Sequence, residues 1–191
     1  MKQIIILEGI STSGKTTLKE KLCDNFDRRK LKYCAIGEEA TLMPILENAD
    51  KEVALDLLNK IISDSLNQEA DIIIFDRLYF THIFRTNSAI SDFASIENLL
   101  VAHDSLLILL AIEKTEIKNR ILGAMEHRDK DWVDFVKRKG SNAEIIEYYS
   151  NQQDKLIELA KKSKVKSLIL DTTKLNFDDL NIRIIEELDL S

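Results

Sequence analysis

The chain has 191 residues, of which 45% are hydrophobic and 31% are charged, and its formal net charge is -6. These values are typical of one soluble globular domain with a sizeable core, so we expect a single domain over residues 1–191. The negative charge disfavours a protein that coats a nucleic acid polymer, because such proteins usually have clustered excess Lys and Arg. A small anionic substrate remains compatible with it, since that substrate needs only a local basic pocket.

The sequence indicates neither a membrane segment nor a cysteine-based metal site. No apolar run reaches the ~18 residues needed to span a bilayer, and a strand follows the N-terminus directly. Cys23 and Cys34 lack a metal-ligand spacing, so we expect reduced thiols. We therefore expect a cytoplasmic protein without a membrane partner.

The first predicted element is a strand over residues 4–7, which leads into a glycine-rich loop and a helix. Residues 9–16 fit the pattern G-x-x-x-x-G-K-[ST], in which backbone N–H groups and a helix N-terminus bind phosphate oxygens. We expect Lys15 to reach the β- and γ-phosphates of ATP and the Thr16 hydroxyl to bind Mg²⁺. The residues predicted to bind the nucleotide are Gly9, Ser11, Thr12, Ser13, Gly14, Lys15, Thr16 and Thr17.

Hydrophobic periodicity predicts the remaining elements in chain order. They are a helix over 16–30, a strand over 31–36, one or two helices over 43–67, a strand over 71–76, helices over 78–88 and 92–102, a strand over 105–112, a helix over 114–125, a charged segment over 126–140, a helix from a capping box at 141–144 to about 162, a strand over 165–170 and a helix over 176–188. Strands that alternate with helices predict an α/β P-loop NTPase fold of three layers: a five-stranded parallel sheet, helices on both faces and a small helical lid at about 120–140.

Ligands of such sheets bind at the carboxyl ends of the strands, where two further candidates follow the third predicted strand. Asp76 ends an apolar run and is placed to hold Mg²⁺ opposite Thr16. Arg77 comes next, and its planar guanidinium suits phosphate binding.

Glu38 and Glu39 come at the end of the second predicted strand. A carboxylate there could accept the proton of an attacking hydroxyl or hold a substrate hydroxyl in place. Because neighbouring side chains at a strand end point to opposite sides, we expect one of the two to enter the cleft. The sequence does not decide which.

Arg120 and Arg128 follow the fourth strand. Phosphoryl transfer spreads negative charge over the transferred group, and a mobile lid that carries arginines would stabilise that charge and exclude water. The aromatic and polar side chains after Arg77 could stack a base or line a pocket, although core packing is the stronger expectation for Phe80 and Phe84.

Together these features resemble the thymidylate kinase and deoxynucleoside kinase group of P-loop kinases. The resemblance rests on the loop at residues 8–17, on Asp76-Arg77 with Thr81 four residues later, and on the segment from Arg120 to Arg128. It implies that one acidic residue after the second strand contacts the acceptor, that Arg77 contacts a phosphate, and that the lid arginines close over ATP.

The chain also departs from the thymidylate kinase pattern. Residues 37–41 read GEEAT instead of a stretch with Arg, Pro and paired glycines, Ser11 replaces an acidic loop residue, and Leu78 replaces an aromatic one. These differences leave the acceptor open among nucleosides, nucleoside monophosphates and other small hydroxyl compounds.

The prediction is an ATP- and Mg²⁺-dependent small-molecule kinase whose catalytic residues are Lys15, Arg77, Glu38 or Glu39, Arg120 and Arg128. A nucleotide-dependent switch and a catalytically inactive binding protein are the alternatives. The guanine-binding Asn-Lys-x-Asp motif is not found after the fourth strand, which disfavours a GTPase switch. A homodimer is possible because apolar helix faces could pack between subunits.

Overall fold

A parallel sheet of five strands forms the centre of the computed structural model, which describes residues 2–46 and 49–188. The strands are β1 (Gln3–Gly9), β2 (Tyr33–Ile36), β3 (Ile72–Asp76), β4 (Leu106–Ala111) and β5 (Lys166–Asp171). Their order across the sheet is β2-β3-β1-β4-β5, with every neighbouring pair parallel. The register places Leu7 beside Asp76 and Gly9 beside Leu110, so the ends of three strands meet at one edge.

Helices cover both faces of this sheet. The helices are α1 (Lys15–Arg28), α2 (Glu38–Thr41), α3 (Lys51–Leu66), α4 (Tyr79–Thr86), α5 (Ala94–Ala102), α6 (Lys114–Ala124), α7 (Lys130–Lys137), α8 (Asn142–Lys162) and α9 (Phe177–Glu187), with 3-10 turns at Met43–Ile45 and Ile90–Phe93. Within the described ranges, none of these helices combines the length and the apolar character required to cross a membrane.

Alternate residues of the central strands pack into two separate cores. Ile4 and Ile6 of β1 face a core that includes α3, α4 and α8, while Ile5 and Leu7 face a core with α1 and α9. Strands that are buried on both faces read as continuous apolar runs, which is why the sequence shows no alternation there. The three layers confirm the predicted α/β fold with a five-stranded parallel sheet.

Several element boundaries differ from the predictions. The strand predicted to begin at residue 31 begins at Tyr33, because Lys30 adopts a left-handed conformation (φ 58°) that ends the preceding turn. The region predicted as one or two helices over 43–67 contains a 3-10 turn and α3, and residues 47–48 of that prediction lie outside the described residues. The charged segment over 126–140 contains a helix of its own, α7.

Hydrogen bonds stabilise the N-terminus of α8 and join the helix to the sheet. Its N-terminus has the predicted capping box, in which the Ser141 N–H donates to the Glu144 carboxylate (2.7 Å) and Ser141 Oγ accepts from the Glu144 N–H (3.5 Å). Further along, the Gln153 amide exchanges two hydrogen bonds with the backbone of Ile112 at the end of β4 (2.9 and 2.8 Å).

A buried histidine connects α4 to α2 beside the strand ends. His82 is fully buried, and its Nε2 lies 2.6 Å from the carbonyl oxygen of Thr41. Since a carbonyl can only accept, Nε2 carries a proton and donates it. The Thr41 hydroxyl donates in turn to the backbone oxygen of Asp76 (2.7 Å). Burial lowers the pKa of His82 to about 4, so the ring is neutral at physiological pH.

This burial predicts an acid-dependent loss of stability. The pKa of His82 is about 4 in the folded chain and ordinarily 6.5, so between these values the unfolded chain binds more protons. The contribution of His82 to the free energy of unfolding should therefore be fully present above pH 6.5 and should be lost as the pH falls toward 4. This contribution is at most about 3 kcal/mol. Urea titrations from pH 4 to 7 should show a smaller pH-dependent loss in His82→Gln than in the wild type. The exposed His127→Gln is the control and should keep the wild-type slope.

The capping box predicts a second stability effect. Ser141→Ala should lower the free energy of unfolding by about 1 kcal/mol, because it leaves a backbone N–H of the first turn without its partner. Ser150→Ala in the interior of the same helix is the matched control and should be neutral or slightly stabilising, since Ala has the higher helix propensity. Denaturant titration measures both. Equal losses in the two variants would contradict the capping role.

Candidate functional site

The loop between β1 and α1 has the backbone conformation that the phosphate-binding motif requires. Gly9 (φ 149°), Thr12 (φ 67°) and Gly14 (φ 95°) all have positive φ. A Cβ on Gly9 would lie 2.7 Å from the carbonyl oxygen of Leu110, and a Cβ on Gly14 would overlap the ring of Phe177. Only glycine fits at these two positions, so the glycines of the motif are explained by close packing as well as by curvature.

The polar side chains of this loop have incomplete hydrogen bonding. Lys15 is buried, and its Nζ donates to the carbonyl oxygens of Gly9 (3.2 Å) and Ile10 (3.1 Å). Burial, followed by the charge of Arg77, lowers the pKa of Lys15 to about 8. The buried hydroxyls of Thr12 and Ser13 have no hydrogen-bond partner within the described residues. Buried polar groups are rarely left this way, so these atoms fit a site that takes phosphate oxygens.

Asp76 at the end of β3 has one carboxylate oxygen available. Its Oδ2 accepts from Lys19 Nζ at 2.9 Å, while its buried Oδ1 has no hydrogen-bond partner in the described ranges. A carboxylate oxygen without a hydrogen bond, in a side chain that interacts electrostatically with Lys15, fits a magnesium ligand, since Mg²⁺ is usually held by one or two protein oxygens together with substrate phosphates. Sequence reasoning missed Lys19, although it stands four residues after Lys15 and so on the same side of α1.

Arg77 joins three segments of the chain through one guanidinium. Its Nη1 donates to the carbonyl oxygen of Gly9 (2.6 Å) and to the Thr81 hydroxyl (3.3 Å), and its Nε donates to Glu38 Oε1 (2.6 Å). The side chain is buried, and the residue has a positive φ of 62°. The predicted Asp76-Arg77 pair is therefore located where β3 ends, directly against the phosphate loop.

The structure separates the two acidic candidates. Glu38 is half-buried, contacts Arg77 and lies 3.9 Å from Lys15 Nζ, whereas Glu39 is exposed and its carboxylate lies against Gly37. Both belong to the short helix α2, so the expectation of a strand end was wrong. On a helix, successive side chains are separated by about 100°, which is why only Glu38 faces the loop.

Glu8 is a further buried residue whose role the sequence did not reveal. Its Oε1 accepts from the backbone N–H groups of Leu78 (2.9 Å) and Thr81 (3.2 Å), and its Oε2 accepts from the Thr81 hydroxyl (2.6 Å). Burial raises the pKa of Glu8. These bonds fix the first turn of α4 on β1 and thereby position Arg77. The sequence feature that could have indicated this role is a carboxylate inside an otherwise apolar strand.

The two lid arginines are held differently. Arg120 in α6 donates to the backbone oxygens of Thr172 (2.9 Å), Thr173 (3.1 Å) and Thr12 (3.4 Å), so its side chain is already fixed between the loop and the end of β5. This differs from the expectation of a mobile residue. Arg128 is exposed between α6 and α7, with its guanidinium 5.4 Å from the Trp132 ring centroid.

Two cavities meet at this edge of the sheet. The smaller one, about 360 Å³, is bordered by the phosphate loop, Arg120, Arg128 and Phe177. The larger one, about 850 Å³, lies between α4, α7, α8 and the 3-10 turn after α2. The residues that border both cavities are Ser11, Glu38, Arg77 and Trp132. This arrangement places the compartment at the phosphate loop beside a larger compartment whose volume suits a small-molecule ligand.

The larger cavity has aromatic walls with charged side chains of both signs, the acidic ones being Glu38, Asp129 and Asp131. Thr81 and Arg85 border it, while Tyr79 and Phe80 are buried in the core, as expected for Phe80. The residues of its other wall were missed by sequence reasoning and are Trp132, Phe135, Arg138, Tyr148, Tyr149 and Gln152. Periodicity predicted their helices, but it does not tell which part of a helix lies over a neighbouring cavity.

No family model matches the chain. An alignment of 100 positions, which covers 44% of this chain, is 32% identical to a probable thymidylate kinase 1 from Saccharolobus solfataricus. The chain spans about half the length of that curated relative, 50%.

Solved structures resemble the chain over nearly its whole length. The YorR protein from Bacillus subtilis, in complex with phosphorylated GDP, has a TM-score of 0.70 at 17% identity and covers 98% of this chain and 96% of its own. Thymidylate kinase from Ehrlichia chaffeensis has a TM-score of 0.60 at 17% identity, with 98% and 100% covered. Shikimate kinase from Bacteroides thetaiotaomicron has a TM-score of 0.61 at 12% identity, and the match covers 97% of this chain and 98% of that kinase. The chain therefore has the fold of the P-loop kinases, and part of its sequence is similar to that of a thymidylate kinase.

Proposed function

We propose that the chain is an ATP- and Mg²⁺-dependent kinase that transfers the γ-phosphoryl group to a nucleoside or a nucleoside monophosphate. The observation that carries this proposal is the position of Glu38 and Arg77 between the phosphate loop and the larger cavity. A phosphoryl group held by the loop would face an acceptor in that cavity. The thymidylate kinase relative and the nucleotide bound to YorR support an acceptor of the nucleoside or nucleotide class.

The phosphate loop is the donor side of the proposed site. The Lys15 ammonium, the free hydroxyls of Thr12 and Ser13 and the backbone of the loop would bind the phosphates of ATP. The Thr16 hydroxyl and Asp76 Oδ1 would hold Mg²⁺. When bound, this ion neutralises charge on the β- and γ-phosphates.

Glu38 would orient the acceptor and Arg77 would stabilise the transferred charge. Burial alone would raise the pKa of Glu38, but the charges of Arg77 and Lys15 lower it below its ordinary value. A carboxylate with a low pKa is a weak base, so Glu38 is suited to accept a hydrogen bond from the acceptor hydroxyl. The guanidinium of Arg77 lies beside it and can bind phosphoryl oxygens.

The basic side of α6 and α7 would complete the donor site. Arg120 is already fixed between the loop and β5, which makes it a preorganised contact for the nucleotide. Arg128 precedes α7 and is exposed beside the same compartment. Movement of α7 would bring Arg128 over ATP and exclude water from the transferred group.

Loss of the phosphate-binding lysine tests the proposed function. Purified protein should release ADP from ATP when Mg²⁺ and an acceptor are present, and Lys15→Ala should reduce this release to background. Lys21→Ala on the same helix, whose side chain pairs with Asp178 outside the site, should keep the activity. Coupled ADP assays over nucleosides, nucleoside monophosphates and other hydroxyl metabolites measure both.

Two outcomes would contradict the kinase proposal. If the protein bound ATP but no acceptor raised ADP release above the rate without an acceptor, a nucleotide-dependent switch would be favoured. An unchanged rate in Lys15→Ala would place the reaction at another site. Mass spectrometry of the product distinguishes phosphorylated nucleosides from diphosphates.

The two neighbouring glutamates provide a matched pair. Glu38→Gln should lower kcat by about 10²-fold or more, because it removes the charged partner of Arg77 and the acceptor for the substrate hydroxyl. Glu39→Gln changes an exposed carboxylate one residue away and should remain near the wild-type rate. Steady-state kinetics with the acceptor identified by the screen measures both. Equal effects of the two substitutions would show that α2 matters only for folding.

A further inference from the structure

Three cations at or beside the larger cavity have no role in the proposed phosphoryl transfer. Arg85 lies in α4 two helical turns after Arg77, and Arg138 and Lys139 follow α7. Arg85 and Arg138 border the larger cavity only, not the phosphate-loop cavity. Arg85 and Arg138 share the wall of this cavity with Tyr148, and Lys139 Nζ lies over the Tyr148 ring. Burial, with the charges of Arg85 and Arg138, lowers the pKa of Lys139 to about 8. We call them the cation cluster.

Neutral groups hold these side chains in place. Arg85 is half-buried, and its Nη2 donates to the carbonyl oxygen of Leu46 at 2.8 Å. Lys139 Nζ lies 3.6 Å from the Phe135 ring centroid and 4.7 Å from that of Tyr148, and it donates to the Phe135 carbonyl oxygen at 3.3 Å. The Nε atom of Arg85 is buried and has no hydrogen bond to residues 2–46 or 49–188.

The cation cluster contrasts with the cations of the phosphate loop. Lys15, Lys19 and Arg77 each have a carboxylate within 4 Å. Across the described part of the chain, no salt bridge joins Arg85, Arg138 or Lys139 to a carboxylate. Arg85 and Lys139 are partly buried, Arg138 is exposed, and none of the three forms an ion pair with another described residue, so an anion that enters from solvent would reduce the repulsion among them. Asp129 and Asp131 also border the cavity, but they lie at the N-terminal end of α7, whereas Arg138 follows its C-terminal end.

The surroundings of the cation cluster match an organic anion. The rings of Trp132, Phe135 and Tyr148 border the same cavity and provide flat apolar surface. The cavity continues to Glu38 and Arg77, where the proposed transfer occurs. A ligand that bridges these positions has an anionic group, a flat or apolar body and an oxygen that can receive a phosphoryl group.

We propose that Arg85, Arg138 and Lys139 bind an anionic group of the acceptor, a phosphate or a carboxylate, in the larger cavity. This inference rests on the proposed function only in naming the ligand as the acceptor. It assigns the substrate to the anionic members of the open set and disfavours an uncharged nucleoside.

Matched ligand pairs that differ by one anionic group test this site. The pairs are thymidine with its 5′-monophosphate, thymidine with its 3′-monophosphate, and uridine with orotidine, which carries a carboxylate on the base. Calorimetric titration without ATP should show at least about tenfold tighter binding of the anionic member in one or more pairs. The pair that shows the preference identifies where on the acceptor the anion lies.

Substitutions then assign the preference to the cation cluster. Arg85→Met should abolish the preference for the anionic member, and Arg85→Lys should retain part of it because the charge is kept. The exposed Arg28→Met at the end of α1 is the matched control and should leave binding unchanged. Thermal unfolding of each variant shows whether it is folded, and Lys139→Met provides a second test if Arg85→Met is not.

The proposal is overturned if neutral and anionic members bind equally in every pair, or if folded Arg85→Met and Lys139→Met keep the wild-type preference. These measurements contain no ATP, so they do not depend on phosphoryl transfer. Anion-selective binding without acceptor-stimulated ADP release would overturn the proposed kinase function and leave the anion site intact. If only an uncharged nucleoside stimulated ADP release, the anion site would be overturned and the proposed kinase function would stand.

Discussion

The ion pair between the buried Arg77 and the half-buried Glu38 is the interaction on which the candidate site depends. The same guanidinium binds the Gly9 carbonyl and the Thr81 hydroxyl, so it joins β1, α2 and α4 at one point. Removing one partner of a fully buried pair costs roughly 3–5 kcal/mol, and the cost is smaller here because Glu38 is partly exposed to solvent and Glu8 and Asp76 also interact with Arg77. The pair therefore fixes the positions of the phosphate loop, the acidic helix α2 and the wall of the larger cavity relative to one another.

Backbone strain at Arg77 is supported by a second buried carboxylate. A positive φ costs a residue with a side chain about 1–2 kcal/mol, and Arg77 has a φ of 62°. Glu8 offsets this cost, since it binds the N–H groups of Leu78 and Thr81 that would otherwise be unpaired in the first turn of α4. The side chain of Arg77 thus enters the site because the chain turns sharply immediately after β3.

The cations of the two compartments differ in the groups that they contact. Cations beside the phosphate loop are paired with Glu38 or Asp76, which keeps the loop stable before any phosphate is bound. The cations around Arg85 are held by a carbonyl oxygen and aromatic rings instead. If both proposals hold, the paired cations would exchange one partner for another on binding, whereas the cation cluster would gain an opposite charge.

The sequence by itself determined the layer architecture, the phosphate loop and the ends of the strands that carry Asp76 and Arg77. Glycine spacing and apolar runs are local signals, and the parallel topology follows from the alternation of strands with helices. Only the tertiary structure decided between Glu38 and Glu39, fixed Arg120 on three carbonyls and placed Arg85 and Tyr148 on the wall of one cavity. Those contacts join residues far apart in the chain, and their geometry depends on how helices rotate and pack against each other, which no short pattern encodes.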